Sequence, residues 1–165
     1  MTAAIELVDF FQKYKRPAFH FALQMVGNHD DALDLTQEAF LRLHREWHKQ
    51  DPARSPVPWL YTVLRNLAID LLRKRAVHAE CDLDCDAPSA RPAPDVEAMR
   101  SELSARLWEA IARLPLAQRE ALILKDWHGL SYGEIAQVVG ASVVAVTSRL
   151  HSARTTLRSQ FGRYL

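Results

Sequence analysis

Between Ser131 and Arg158 the chain carries its own punctuation, and this constrains the fold more than any other feature. Ser131-Tyr132-Gly133-Glu134 has the spacing of a capping box, in which a serine hydroxyl and a glutamate carboxylate satisfy each other's backbone amides. The helix it opens carries Ile135, Ala136, Val138 and Val139. Gly140 follows, and glycine enters the left-handed conformation that ends a helix without a Cβ clash. Ser142 can cap a next helix, which places Val146, Leu150, Ala153 and Leu157 on one face. Two helices joined by such a short glycine-containing turn make a helix-turn-helix, whose second helix enters the major groove of DNA with its N-terminal residues at base edges. The outward face offers Thr147, Ser148, His151 and Arg154, with Arg149 and Arg158 flanking, which can donate to phosphates and bases. The alternative is a helical hairpin with a polar outer face.

The remaining periodic segments also read as helix. Apolar residues from Ile5 to Met25 recur every three or four positions, which predicts a helix over 4–26 that stops at Gly27-Asn28. Asp30 or Asp31 can cap a second helix over 31–49. Pro52, Pro56 and Pro58 mark a rigid loop before a third helix over 58–78. Further helices are expected over 95–113, ending at Pro115, and over 116–127, ending at Gly129. No alternating strand pattern and no internal repeat is evident. The stretch from Cys81 to Pro94 has three prolines and no apolar periodicity, and reads as a flexible linker. The expected fold is all-α, with two small helical domains at 1–78 and 95–165 joined by an acidic Pro/Ala/Asp-rich linker at 79–94.

Charge supports that division. Residues 54–77 hold five bases against the single acid Asp70, residues 78–99 hold six acids against Arg91, and residues 141–165 hold four arginines and no acid. Two basic stretches separated by an acidic one suit two contacts on one polyanion, or else solvated helix faces. The longest strictly apolar runs are four residues, against the roughly 20 a membrane span requires, so membrane insertion is not expected. The first residues lack the pattern of a secretory signal, and two cysteines are too few for a disulfide scaffold, which points to a cytoplasmic location. Five glycines leave little material for phosphate-cradling loops.

Two more segments carry side chains suited to partners. In the second helix, Leu33, Thr36, Phe40, Leu43 and Trp47 form a stripe for the core. Asp34, Gln37, Glu38, Leu41 and Arg45 form another face, on which Leu41 stands among charges; such a leucine either binds a partner or is simply exposed. In the third helix, Trp59 and Tyr61 lie beside the proline loop and Arg65, Arg73, Lys74 and Arg75 lie along the helix. Aromatic rings beside cations can hold unstacked bases and their backbone. Trp59 suits a core position equally well.

These segments together resemble a known family. LPLAQREALILKDWHGLSYGEIAQVVGASVVAVTSRLHSARTTLR, from Leu114 to Arg158, resembles region 4 of bacterial extracytoplasmic-function (ECF) sigma factors. DDALDLTQEAFLRLHREW, from Asp30 to Trp47, is similar to their region 2 helix that binds core RNA polymerase, and PWLYTVLRNLAIDLLRKR, from Pro58 to Arg75, to their promoter-melting segment. The resemblance implies a promoter-specificity subunit with regions 2 and 4 and no region 1.1 or 3. It implies that Asp34, Gln37, Glu38 and Leu41 meet the β′ clamp of the polymerase. It implies that Trp59, Tyr61, Arg65, Asn66, Arg73 and Lys74 serve the −10 element, with Asn66 helping to hold a flipped base. Ser142, Thr147, Ser148, Arg149, His151 and Arg154 would serve the −35 element, with region 4 on the β flap. An anti-sigma factor is a common further partner in the family. One departure is plain: Thr147 stands where the family usually carries a cation, which makes the −35 preference unusual.

No metal, cofactor or catalytic activity is expected. His78, Cys81 and Cys85 have ligand chemistry for zinc but lack an identified fourth ligand; a redox pair or two idle cysteines are the other readings. No nucleophile triad, zinc-protease motif or phosphate loop stands out, and the remaining histidines read as surface or core-edge residues. The functional alternative is an autonomous helix-turn-helix regulator, which would need no second basic, aromatic helix.

Overall fold

The structure, a computed structural model, describes residues 2–81 and 102–162. Every element among the described residues is helical. Residues 82–94 of the expected linker, the start of the fourth predicted helix, Cys85 and the Cys81 side chain lie outside them, whereas residues 79–81, expected in the linker, continue the third helix.

The first half is three helices: α1 (Thr2–Val26), α2 (His29–Glu46) and α3 (Val57–Cys81). Gly27, at φ 72°, turns the chain between the first two. The cap of α2 is Asn28 rather than Asp30 or Asp31. Its backbone is extended, and its Oδ1 accepts from the Asp31 amide at 3.0 Å, which leaves both aspartates in the first turn, where they favour the positive helix end. A single 3₁₀ turn, Trp47–Lys49, then takes over from α2.

Phe21, Met25, Leu43, Leu60 and Leu64 are fully buried where the three helices meet. The stripe of α2 that faces them is Ala32, Thr36, Ala39, Phe40 and Leu43. Leu33, expected in the core, is 40% exposed. The two alanines, fully buried, bring α2 against its neighbours and rotate Leu33 out to the side that carries Leu41. Arg75 is not part of an open basic face: it pairs with Asp31 and so ties the end of α3 to the start of α2.

The second half has α4 (Glu102–Ala112), α5 (Leu116–Leu122), α6 (Tyr132–Val139) and α7 (Val143–Phe161). The helix expected over 116–127 is not uniform. Residues Ile123–Trp127 widen into a π turn, and the His128 amide reaches back to the Ile123 carbonyl at 3.2 Å. That turn places Trp127 on Trp108, with ring centroids 4.9 Å apart, and turns His128 towards the first half.

The capping box is formed as expected, with the Ser131 amide donating to Glu134 at 2.8 Å and the Glu134 amide to Ser131 Oγ at 3.1 Å. Gly140 has φ 65° and closes α6, and Ser142 Oγ accepts from the Ala145 amide to open α7. Val146, Leu150 and Ala153 are buried on the inner face of α7, as the periodicity predicts.

Candidate nucleic-acid interface

The two halves share one continuous apolar core, and what joins them decides which site residues are accessible. Arg65 on α3 reaches Glu120 on α5 through two parallel bonds, Nε to Oε2 at 2.7 Å and Nη2 to Oε1 at 3.1 Å. Glu120 is 1% exposed, so its charge is balanced by Arg65 and not by water. Beside this pair, His128 is held from both sides. Its Nδ1 lies 3.0 Å from the Tyr61 hydroxyl and its Nε2 lies 2.8 Å from Gln24 Oε1. The neutral ring with its proton on Nε2 satisfies both contacts, accepting from Tyr61 and donating to Gln24. Phe21 packs edge-on against both rings, at 5.2 Å from Tyr61 and 5.5 Å from His128. Burial, and then the neighbouring His20, push the His128 pKa down to about 4. Burial, and then Tyr14, push the Tyr61 hydroxyl well above its ordinary value.

The α3 residues expected at the −10 element therefore fall on two sides of one helix. Tyr61 and Arg65 face the second half. Asn66, Arg73 and Lys74 are exposed, and Trp59 is half-buried against the core. Trp59, Asn66 and Arg73 are seven residues apart, nearly two helical turns, so they share one side of α3. That side offers an aromatic edge, an amide and a cation, with Lys74 beside it.

On α2, Asp34, Gln37 and Leu41 are exposed, and Glu38, partly buried, pairs with Arg42 at 2.7 Å. Leu33 and Leu41, 40% and 53% exposed, flank Gln37 at spacings of four residues. This apolar and acidic surface is larger than the leucine pattern alone suggested.

On α7, Thr147, Ser148 and His151 are exposed on the outward face, and Arg149 is partly exposed. Two expected contact residues are engaged within the protein. Ser142 caps its own helix, and Arg154 pairs with Asp126 at 2.7 Å, a hydrogen bond that raises the arginine pKa. Behind α7, Leu103, Leu107, Leu122, Trp127, Leu157 and Phe161 line an open apolar groove of about 320 Å³, with the Asp126–Arg154 pair at its rim. Among the described residues no His/Cys/Asp/Glu group could hold a metal, and no helix is long and apolar enough to cross a membrane. His78 is exposed at the end of α3.

Glu120, Gln24 and His128 were not singled out by sequence. Glu120 follows Gln118 and Arg119 in Leu116–Leu124, so no local pattern marks it, and its partner stands 55 residues away.

Known proteins show the same division. Residues 10–77 match sigma-70 region 2 and residues 104–157 match sigma-70 region 4. The chain is 35% identical over 160 residues to the ECF RNA polymerase sigma factor SigE of Mycolicibacterium smegmatis, covering 94% of this chain and 62% of that protein. It is 36% identical over 138 residues to the ECF RNA polymerase sigma factor EcfG of Rhodopseudomonas palustris, covering 83% of this chain and 75% of that protein. Among solved structures it is similar to the sigma factor RpoE of Bartonella quintana in complex with the anti-sigma factor NepR. There the TM-score is 0.73 at 25% identity, covering 95% of this chain and 99% of that one.

Proposed function

We propose, from the premise that this chain belongs to the ECF family of RNA polymerase sigma factors, that it binds core polymerase in the cytoplasm and directs it to promoters. The observation that carries this reading is a second nucleic-acid-suited surface in the same chain as the helix-turn-helix. Trp59, Asn66 and Arg73 on one side of α3, with Lys74 beside them, present an aromatic, an amide and cations, whereas a plain regulator has use only for α7. In this reading α7 serves the −35 element and α3 serves the −10 element. RNA synthesis itself belongs to the polymerase.

Two surfaces suit the polymerase. Asp34, Gln37, Glu38 and Leu41, joined by Leu33, would meet the β′ clamp. The apolar groove behind α7 would take an apolar helix of the β flap, as such grooves take amphipathic helices. Tyr61 and Arg65 reach DNA only when the two halves part, so polymerase binding is the step that exposes them. An anti-sigma factor holding the halves together would keep both away from DNA.

Leu41→Glu is expected to weaken retention on core polymerase at least tenfold, because it places a charge in a desolvated apolar contact. The check is co-purification of wild type and variant with core enzyme, with helicity measured alongside. Leu41 is 53% exposed in the free chain, so the fold should survive. Equal retention of the two would remove this face of α2 from the interface.

A further inference from the structure

The start of α7 is apolar where it faces outward. Val143 and Val144 are 47% and 79% exposed, and with Thr147, Ser148 and His151 they line a shallow recess on the helix-turn-helix surface. Thr147 adds to this character. Its hydroxyl donates to the Val143 carbonyl at 2.9 Å, so its proton is committed to the helix backbone and its methyl group is left as contact surface. Ser142 likewise caps the helix. The position where the family usually carries a cation has thus become part of an apolar strip.

A solvent-facing pair of valines at this place suits an apolar counterpart. The surroundings select which one. No acid occurs in α7, and Arg149 and Arg158 follow further along the same helix, so a polyanion such as duplex DNA is the partner its charge suits. In the major groove of a duplex, the one apolar group on an ordinary base edge is the C5-methyl of thymine.

We infer that Val144, supported by Val143 and the Thr147 methyl, reads the C5-methyl group of a thymine in the −35 element. This makes Val144 a specificity residue, and it rests on the assignment of α7 to that element. It departs from recognition by charged donors: the base is chosen by a methyl group and rejected when the methyl is missing.

The test uses the full chain with core polymerase. Duplexes preferred by this complex are selected from a library randomised in the −35 region. Each thymine is then replaced in turn by deoxyuridine, which pairs identically and lacks only the methyl. At one or two positions the replacement should weaken binding about fourfold, the factor that burying one methyl group is worth. Val144→Ala should bind thymine and uracil duplexes alike at that position, whereas Val144→Thr, which keeps a branched methyl, should still discriminate. Uracil tolerated at every thymine while a sequence preference persists would overturn the methyl reading alone. So would a uracil penalty that is unchanged in Val144→Ala. A selection that returns no preferred −35 sequence would overturn the assignment of α7 as well.

Discussion

Arg65→Ala is expected to lower the stability of the folded chain by about 3–5 kcal/mol, the cost of leaving one member of a buried ion pair without its partner. Glu120 is 1% exposed, and its two oxygens accept the two bonds from Arg65. With the guanidinium gone, the carboxylate has to take up a proton, admit water, or pull the two halves apart. The second replacement distinguishes this from lost packing. Adding Glu120→Ala to Arg65→Ala removes the stranded charge, so the double variant should recover much of the loss. Urea unfolding midpoints of the wild type, Arg65→Ala, Glu120→Ala and the double variant supply the comparison. A loss below about 1 kcal/mol in Arg65→Ala, as for an exposed ion pair, would mean that this contact does not tie the halves together.

Acid should weaken the same junction. The His128 imidazole is held neutral, with its pKa down at about 4, while in the unfolded chain it takes its proton near the ordinary 6.5. Between those values the unfolded state binds more protons, so stability falls as pH falls. The contribution is fully present above about 6.5 and is lost on passing down through about 4, and it amounts to roughly 3 kcal/mol. Tyr61 and Gln24 contact the ring directly, and after burial the neighbouring His20 is the second cause that disfavours its charge. His128→Gln should remove this part of the pH dependence without removing the rest. The check is the folded-state titration of the His128 ring by NMR, together with unfolding midpoints from pH 7 to 4 for both proteins. A ring that titrates near 6.5 in the folded chain would contradict the geometry.

What the sequence made legible was local chemistry. Ser131, Glu134, Gly140 and Ser142 specify α6, the turn and α7 through contacts within four residues, so their pattern survives without knowledge of the rest of the fold. Periodicity placed the helices but misjudged Leu33. A helix with Ala32 and Ala39 on its inner side packs on small residues, and a leucine count cannot see them. The cap of α2 moved to Asn28 because an extended asparagine just before the helix competes directly with aspartates inside its first turn. The junction between the halves was out of reach. Arg65 with Glu120, and His128 with Tyr61 and Gln24, are pairings across the chain that no local spacing encodes. For that reason Tyr61 and Arg65 looked like members of one DNA-facing set with Asn66, although the helix turns them to the other side.

A sigma factor gives core RNA polymerase a choice of start site. The most direct measurement is transcription in vitro from duplex templates by purified core polymerase, with and without the chain, with the 5′ ends of the transcripts mapped. The account predicts discrete start sites that appear only when the chain is added, preceded by shared sequence blocks at the −10 and −35 positions. Unchanged, dispersed initiation in the presence of folded chain that still binds duplex DNA would contradict it, and would leave a helix-turn-helix regulator in its place.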